Sequence, residues 1–151
     1  MQIIPFTNKG YQNLKAQLEE EIAKRPEAVK QLTRGRDMGD LSENGLYKAA
    51  KQALNDIDRQ IRYLKNLVKY GKIYTPQNND YVALGHTVMV ETESKQKQFM
   101  IVGEYEANPR ENKISLKSPI GHNLMGRKVG EKIDIRTPSG FLTYKIIKIF
   151  V

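Results

Sequence analysis

Residues 47–68 read Tyr47-Lys-Ala-Ala-Lys51-Gln-Ala-Leu54-Asn-Asp-Ile57-Asp-Arg-Gln-Ile61-Arg-Tyr-Leu64-Lys-Asn-Leu-Val68. Within it Tyr47, Ala50, Leu54, Ile57, Ile61, Leu64 and Val68 recur at steps of 3, 4, 3, 4, 3 and 4. Side chains three and four apart share one face of an α-helix, so the spacing predicts a helix carrying a coiled-coil seam. Such a seam needs a partner. Upstream, Thr7 is a suitable N-cap, and Tyr11, Leu14, Leu18, Ile22, Val29 and Leu32 follow at steps of 3, 4, 4, 7 and 3. The repeated four-residue step reads as a stutter, and Pro26 removes a backbone donor and is expected to kink this arm. The first pattern ends near Gly35 and Gly39, while Lys69 and a C′ Gly71 are expected to close the second. Each arm is about 40 Å long at 1.5 Å per residue. Two arms of matched length joined by a short turn predict an antiparallel hairpin.

Beyond Thr75-Pro-Gln-Asn-Asn-Asp80, which reads as a linker, the period changes from helical to alternating. Thr87–Thr92 and Gln98–Gly103 are strand patterns bracketing a polar turn over 93–97. Lys113–Lys117 predicts a third strand, Ser118-Pro119 opens a short helix through Met125, and Lys132–Arg136 and Phe141–Phe150 flank a Pro138-Ser-Gly140 turn. The fold class is therefore α+β: an N-terminal coiled-coil hairpin over 1–74, a linker over 75–80, and a small antiparallel-sheet domain with one short helix over 81–151.

Composition bounds what such a chain does. Charged residues are 28% of its 151 residues and hydrophobic ones 39%, with no Trp and four Phe, which is lean for one compact core. A long exposed hairpin beside a modest second domain accounts for that leanness. The absence of Cys excludes disulfides and thiolate metal sites. No run of 18 apolar residues occurs and Met1-Gln-Ile-Ile-Pro5 carries no basic n-region, so a cytoplasmic protein without a membrane role is expected. The net charge of +8 is spread, with 14 Lys/Arg against 9 Asp/Glu in residues 1–75 and 11 against 8 in 76–151. A polyanionic neighbour and a merely solvated surface both fit that balance.

The turn between the arms, Asp37-Met-Gly-Asp40-Leu-Ser-Glu43-Asn-Gly45, carries three carboxylates. Two roles fit them. Asp40-Leu-Ser-Glu43 has the frame of a capping box, with an acid at the N-cap and Glu at N3, and Ser42 competes as the cap. Alternatively, Asp40 and Glu43 supply the one or two carboxylates that Mg²⁺ usually takes from a protein element. With no Cys, and with the only histidines at 86 and 122, a second molecule must complete any such site. Arg34, Arg36, Lys48 and Lys51 behind the turn suit either an RNA-facing channel or a solvated helix face, and Tyr47 suits ring stacking or the seam.

Gly39-Asp40-Leu-Ser-Glu43-Asn44, with Tyr47 and Ala49-Ala50-Lys51, resembles the tip of the Gre family of transcript cleavage factors (GreA/GreB). Further matches run in family order: Thr7-Asn-Lys-Gly10, Lys24-Arg-Pro-Glu27, Ile101-Val-Gly-Glu104, Ile114–Ile120, Val129-Gly130 and Thr137-Pro-Ser-Gly140. The resemblance covers essentially the whole chain. It implies that the second domain is FKBP-like and docks on bacterial RNA polymerase, at a segment resembled by Ser118 and Pro119. It also implies that the hairpin enters the polymerase secondary channel as a monomer and meets the nascent RNA 3′ end. There Asp40 and Glu43 would hold a catalytic Mg²⁺ jointly with the polymerase, and the polymerase's own nuclease would cleave the RNA of a backtracked complex. On that resemblance the protein is a catalytic cofactor rather than an enzyme, and binds no metal alone. Four positions depart from the family pattern: Gly45-Leu46 stands for Ala-Glu, Lys48 for His or Gln, and Lys117 for Asn or Asp.

Overall fold

The computed structural model describes residues 2–39 and 44–151. Strand β1 (Ile4–Phe6) leads into α1 (Asn8–Arg36), and α2 (Gly45–Tyr70) runs into β2 (Gly71–Ile73). Strands β3 (Thr87–Thr92), β4 (Lys95–Val102) and β5 (Lys113–Ser115) precede a short helix α3 (Pro119–Leu124), and β6 (Lys132–Thr137) and β7 (Gly140–Phe150) end the chain. The contacts divide into two compact units, one of residues Gln12–Tyr70, the other of Gln2–Tyr11 with Gly71–Val151.

In the first unit the arms run antiparallel, since Arg25 meets Asp58 and Gly35 meets Tyr47. The α2 seam is as its spacing predicts: Ile61 and Leu64 are buried and Tyr47, Ala50, Leu54, Ile57 and Val68 are half-buried, with Leu67 buried beside them. The α1 seam differs. Ile22 and Val29 are exposed, and the shielded face runs Tyr11, Leu14, Leu18, Glu21, Ala28, Leu32, Gly35. Adding Arg25, these positions step 3, 4, 3, 4, 3, 4, 3, an unbroken heptad with no stutter. Arg25 fills its slot by a forked contact, Nε donating to Asp58 Oδ1 (2.7 Å) and a terminal nitrogen to Oδ2 (3.4 Å). The hydrogen bond from Arg25, followed by burial against it and then by Arg25's charge, leaves the Asp58 carboxyl below its ordinary range. Helix α1 continues through Pro26.

In the second unit a five-stranded sheet has the order β5-β4-β3-β7-β6. The β3–β4, β3–β7 and β6–β7 pairs are antiparallel; β5 lies parallel to β4, so the sheet is mixed. Val88, Val90, Ile101, Ile133, Ile135, Tyr144 and Ile146 form its buried face with Leu124 of α3 and Val82. The polar segment 95–97, expected as turn, is strand: Glu93 (φ 45°) and Ser94 (φ 67°) make a two-residue reversal of left-handed residues, and ladder pairing begins at Thr92–Lys95. Gly71 does not end α2 as a left-handed C′ residue but opens β2, which pairs parallel with β1 in a separate ribbon. Residues 77–86 are tied down by buried His86, whose Nδ1 accepts from the Ala83 N–H (3.0 Å) and whose Nε2 lies 2.6 Å from the Gln77 carbonyl.

The start of α1 belongs to this second unit. Thr7 is the N-cap, its hydroxyl oxygen accepting from the Gly10 N–H (3.1 Å). A capping box would place Glu or Gln at Gly10; here Glu106 fills that role from a 3-10 turn 99 residues away. Its carboxylate accepts from the Thr7 N–H (3.0 Å), the Gly103 N–H (2.9 Å) and the Thr7 hydroxyl. A Cβ on Gly10 would fall 1.7 Å from Glu106 Oε1, so only glycine leaves room for the carboxylate. Phe6 packs beside this junction against Tyr11 and Tyr105.

Candidate functional site at the hairpin tip

Where the arms meet, sequence dictates close approach. A Cβ on Gly35 would lie 2.8 Å from the Tyr47 Cα, closer than side chains tolerate, so glycine lets the end of α1 touch the start of α2. Asn44 fastens that contact. Its Oδ1 accepts from the Tyr47 N–H (3.1 Å), its carbonyl accepts from the Lys48 N–H (3.1 Å), and its Nδ2 donates to the Gly35 carbonyl. Asn44 is therefore the N-cap of α2, and it also satisfies a carbonyl that the end of α1 leaves open.

This assignment bears on Asp40 and Glu43, which lie outside the described residues. The capping-box frame required α2 to start directly after Asp40; it starts at Gly45, with Asn44 as cap. The frame with Asp40 as N-cap therefore does not describe the start of α2, and Ser42 lies outside the described residues. Asn44 has a sequence signal of its own, a good cap residue immediately before a helical pattern, masked by the acids preceding it.

The remaining tip residues flank this joint. Arg34 and Arg36 stand exposed in the last turn of α1, where cations complement the helix dipole. Lys48 and Lys51 are exposed in the first turns of α2, and Tyr47 is half-buried at the seam with its backbone against Gly35. Asp37 is exposed, and Met38 and Leu46 bracket the acidic segment with 64% and 60% of their surface in solvent. Gly45 has open space where a Cβ would stand, so its departure from alanine is not imposed by packing. Among the described residues no group of three or more His, Cys, Asp or Glu side chains converges as a metal site.

Ser118 and Pro119 lie in the other unit. Ser118 caps α3, accepting from the Gly121 N–H (3.1 Å) and donating to the Ser115 carbonyl (2.7 Å), and Pro119 is exposed at the first helical position. Lys117 beside them pairs with Glu104 (3.0 Å). An apolar depression of about 320 Å³ is lined by Pro5, Tyr74, Ala83, Leu84, Leu116 and Met125. No helix among the described residues is long and apolar enough to cross a membrane.

Comparison with known proteins gives a consistent placement. Residues 4–73 match the family "Transcription elongation factor, N-terminal", and residues 77–150 match "Transcription elongation factor, GreA/GreB, C-term". The chain is 38% identical to transcription elongation factor GreA of Bacillus velezensis, over 97% of this chain and 96% of that one. It is 40% identical to GreA of Lactococcus lactis subsp. cremoris, over 96% of each. Among solved structures, GreA factor homolog 1 of Thermus thermophilus aligns at 28% identity and a TM-score of 0.47, covering 99% of this chain and 100% of that one. The chain is a member of the GreA/GreB family of transcription elongation factors.

Proposed function

We propose that the protein binds bacterial RNA polymerase, carries its hairpin tip down the secondary channel, and stimulates Mg²⁺-dependent cleavage of the nascent RNA 3′ end in backtracked complexes. The carrying observation is the Asn44 cap. It fills the N-cap position of α2 and joins the arms at Gly35, which supports a role other than N-cap for Asp40 and Glu43. Two carboxylates in the segment joining arms about 40 Å long suit delivery of ligands into another molecule's active site.

In that role Asp40 and Glu43 hold Mg²⁺ jointly with the polymerase, because their donor set is too small to bind the ion alone. The ion, when bound, supports the attacking water and the phosphoryl charge. Arg34, Arg36, Lys48 and Lys51 offset the phosphate charge of the extruded RNA, and Tyr47 positions the tip through its seat on Gly35. Ser118 and Pro119 dock the second unit on the polymerase surface, beside the depression lined by Leu116 and Met125. The protein then acts as a monomeric cofactor of the polymerase nuclease, in the cytoplasm.

The test is to add the protein with Mg²⁺ to a bacterial polymerase complex stalled and backtracked on 5′-labelled RNA. Shortened transcripts that resume elongation with nucleotides are expected. Slowed elongation without shortening would favour an inhibitor of the same channel, and no effect on a cognate polymerase would remove the proposal.

A further inference from the structure

The alternation that buries one face of the five-stranded sheet fixes what lies on the other. Paired strand residues point to the same side, so the register places Lys132 opposite Lys145, Lys148 opposite Met89, Phe150 opposite Thr87, and Arg136 opposite Phe141, all outward. Lys132, Lys145, Lys148 and Arg136 are exposed, and among the described residues none of them is in an ion pair. Like charges directly opposed, as at Lys132 and Lys145, cost the sheet stability. Two acids share the face. Glu91 stands across from Lys145, and Asp134 accepts from the Thr143 hydroxyl (2.6 Å). Phe141, beside Arg136, has 73% of its surface in solvent, the highest value among the exposed large hydrophobics of the described residues. Lys148 lies over the Phe150 ring at 5.2 Å.

Cations in cross-strand register beside the open ring of Phe141 match one polymer chemistry: phosphates at regular spacing with flat rings between them. We propose that this outward sheet face binds single-stranded nucleic acid, the lysines and Arg136 contacting phosphates and Phe141 stacking on an unpaired base. A duplex keeps its base faces stacked on one another and gives Phe141 nothing to cover. The surface is separate from the hairpin tip and is not needed for the cleavage proposed above.

The experiment is a fluorescence-anisotropy titration of the full chain with a fluorescein-labelled oligouridylate over a series of salt concentrations, without polymerase. Lys132→Gln/Lys145→Gln is expected to weaken binding about tenfold and to reduce the slope of log affinity against log salt by about 1.4, two phosphate contacts at about 0.7 each. Lys95→Gln/Lys97→Gln removes equal charge from the opposite side of the sheet, where Lys97 pairs with buried Val90, and is expected to stay within about twofold of wild type. Phe141→Ser is expected to weaken binding about fivefold with the salt slope unchanged. Circular dichroism establishes that each surface variant folds. Equal losses for the two lysine pairs, no loss for either, or a duplex bound as tightly and insensitive to Phe141→Ser would each overturn the proposal.

Discussion

The two long helices of this chain solve the same problem in opposite ways. At the start of α1, Thr7 takes one open N–H and a carboxylate from Glu106, 99 residues distant, completes the box. At the start of α2, Asn44 takes the open N–H itself and reaches back to the Gly35 carbonyl, while acids stand immediately upstream in the sequence. A carboxylate is thus imported at one helix start, and a neutral amide serves as N-cap at the other. Acids near a helix start are ordinarily explained by capping. Here the N-cap position is filled by a neutral residue, Asn44.

The largest stability effect is expected at the imported cap. Glu106→Ala strips the acceptor from two backbone N–H groups and one hydroxyl, and should lower unfolding free energy by about 2–4 kcal/mol in urea titrations. A loss under about 0.5 kcal/mol would mean the α1 start does not depend on it. Next comes Gly35→Ala, whose methyl meets the Tyr47 backbone; about 1–3 kcal/mol and a parallel fall in transcript cleavage are expected, because the tip joint must open. Asn44→Ala should cost about 1 kcal/mol in the same titration, against almost nothing if a tip acid were the true cap.

The smallest effect belongs to the exposed Arg25–Asp58 pair between the arms. The Asp58 carboxyl is held below its ordinary range first by the hydrogen bond from Arg25, with Arg25's charge adding to it. A depressed carboxyl stabilises the fold above the ordinary carboxylate range and loses that contribution as pH falls through its folded value. Thermal midpoints of wild type and Asp58→Asn should therefore differ slightly near neutrality and converge in acid. A gap that persists unchanged into strong acid would assign the difference to packing.

The same contrast explains what sequence pattern conveys. The α2 seam was legible because its slots hold apolar residues at unbroken heptad steps. The α1 seam was not: Ile22 and Val29 attract the eye, but the slots belong to Glu21, Arg25 and Ala28, and Arg25 is held there by a charge pair to the other arm. Strand β4 began earlier than its polarity suggested because ladder hydrogen bonds, not apolar content, carry Lys95–Gln98. Strand β5 and the β1–β2 ribbon are parallel pairings between distant segments, which period alone does not reveal. At the tip, the flanking cations Arg34, Arg36, Lys48 and Lys51 were legible as exposed residues at the facing ends of the two arms. The choice of Asn44 over Asp40 as cap was not, because spacing admits both and only the helix start decides.

Asp40→Ala, with unfolding and transcript cleavage measured on the same preparation, separates cap from metal ligand. Alanine is a poor cap, so it removes both proposed roles at once and the two readouts separate them. The expected result is an unfolding free energy within about 0.5 kcal/mol of wild type, with stimulated cleavage of the backtracked complex lost. A loss of about 1 kcal/mol or more with cleavage intact would return Asp40 to the cap and contradict the account.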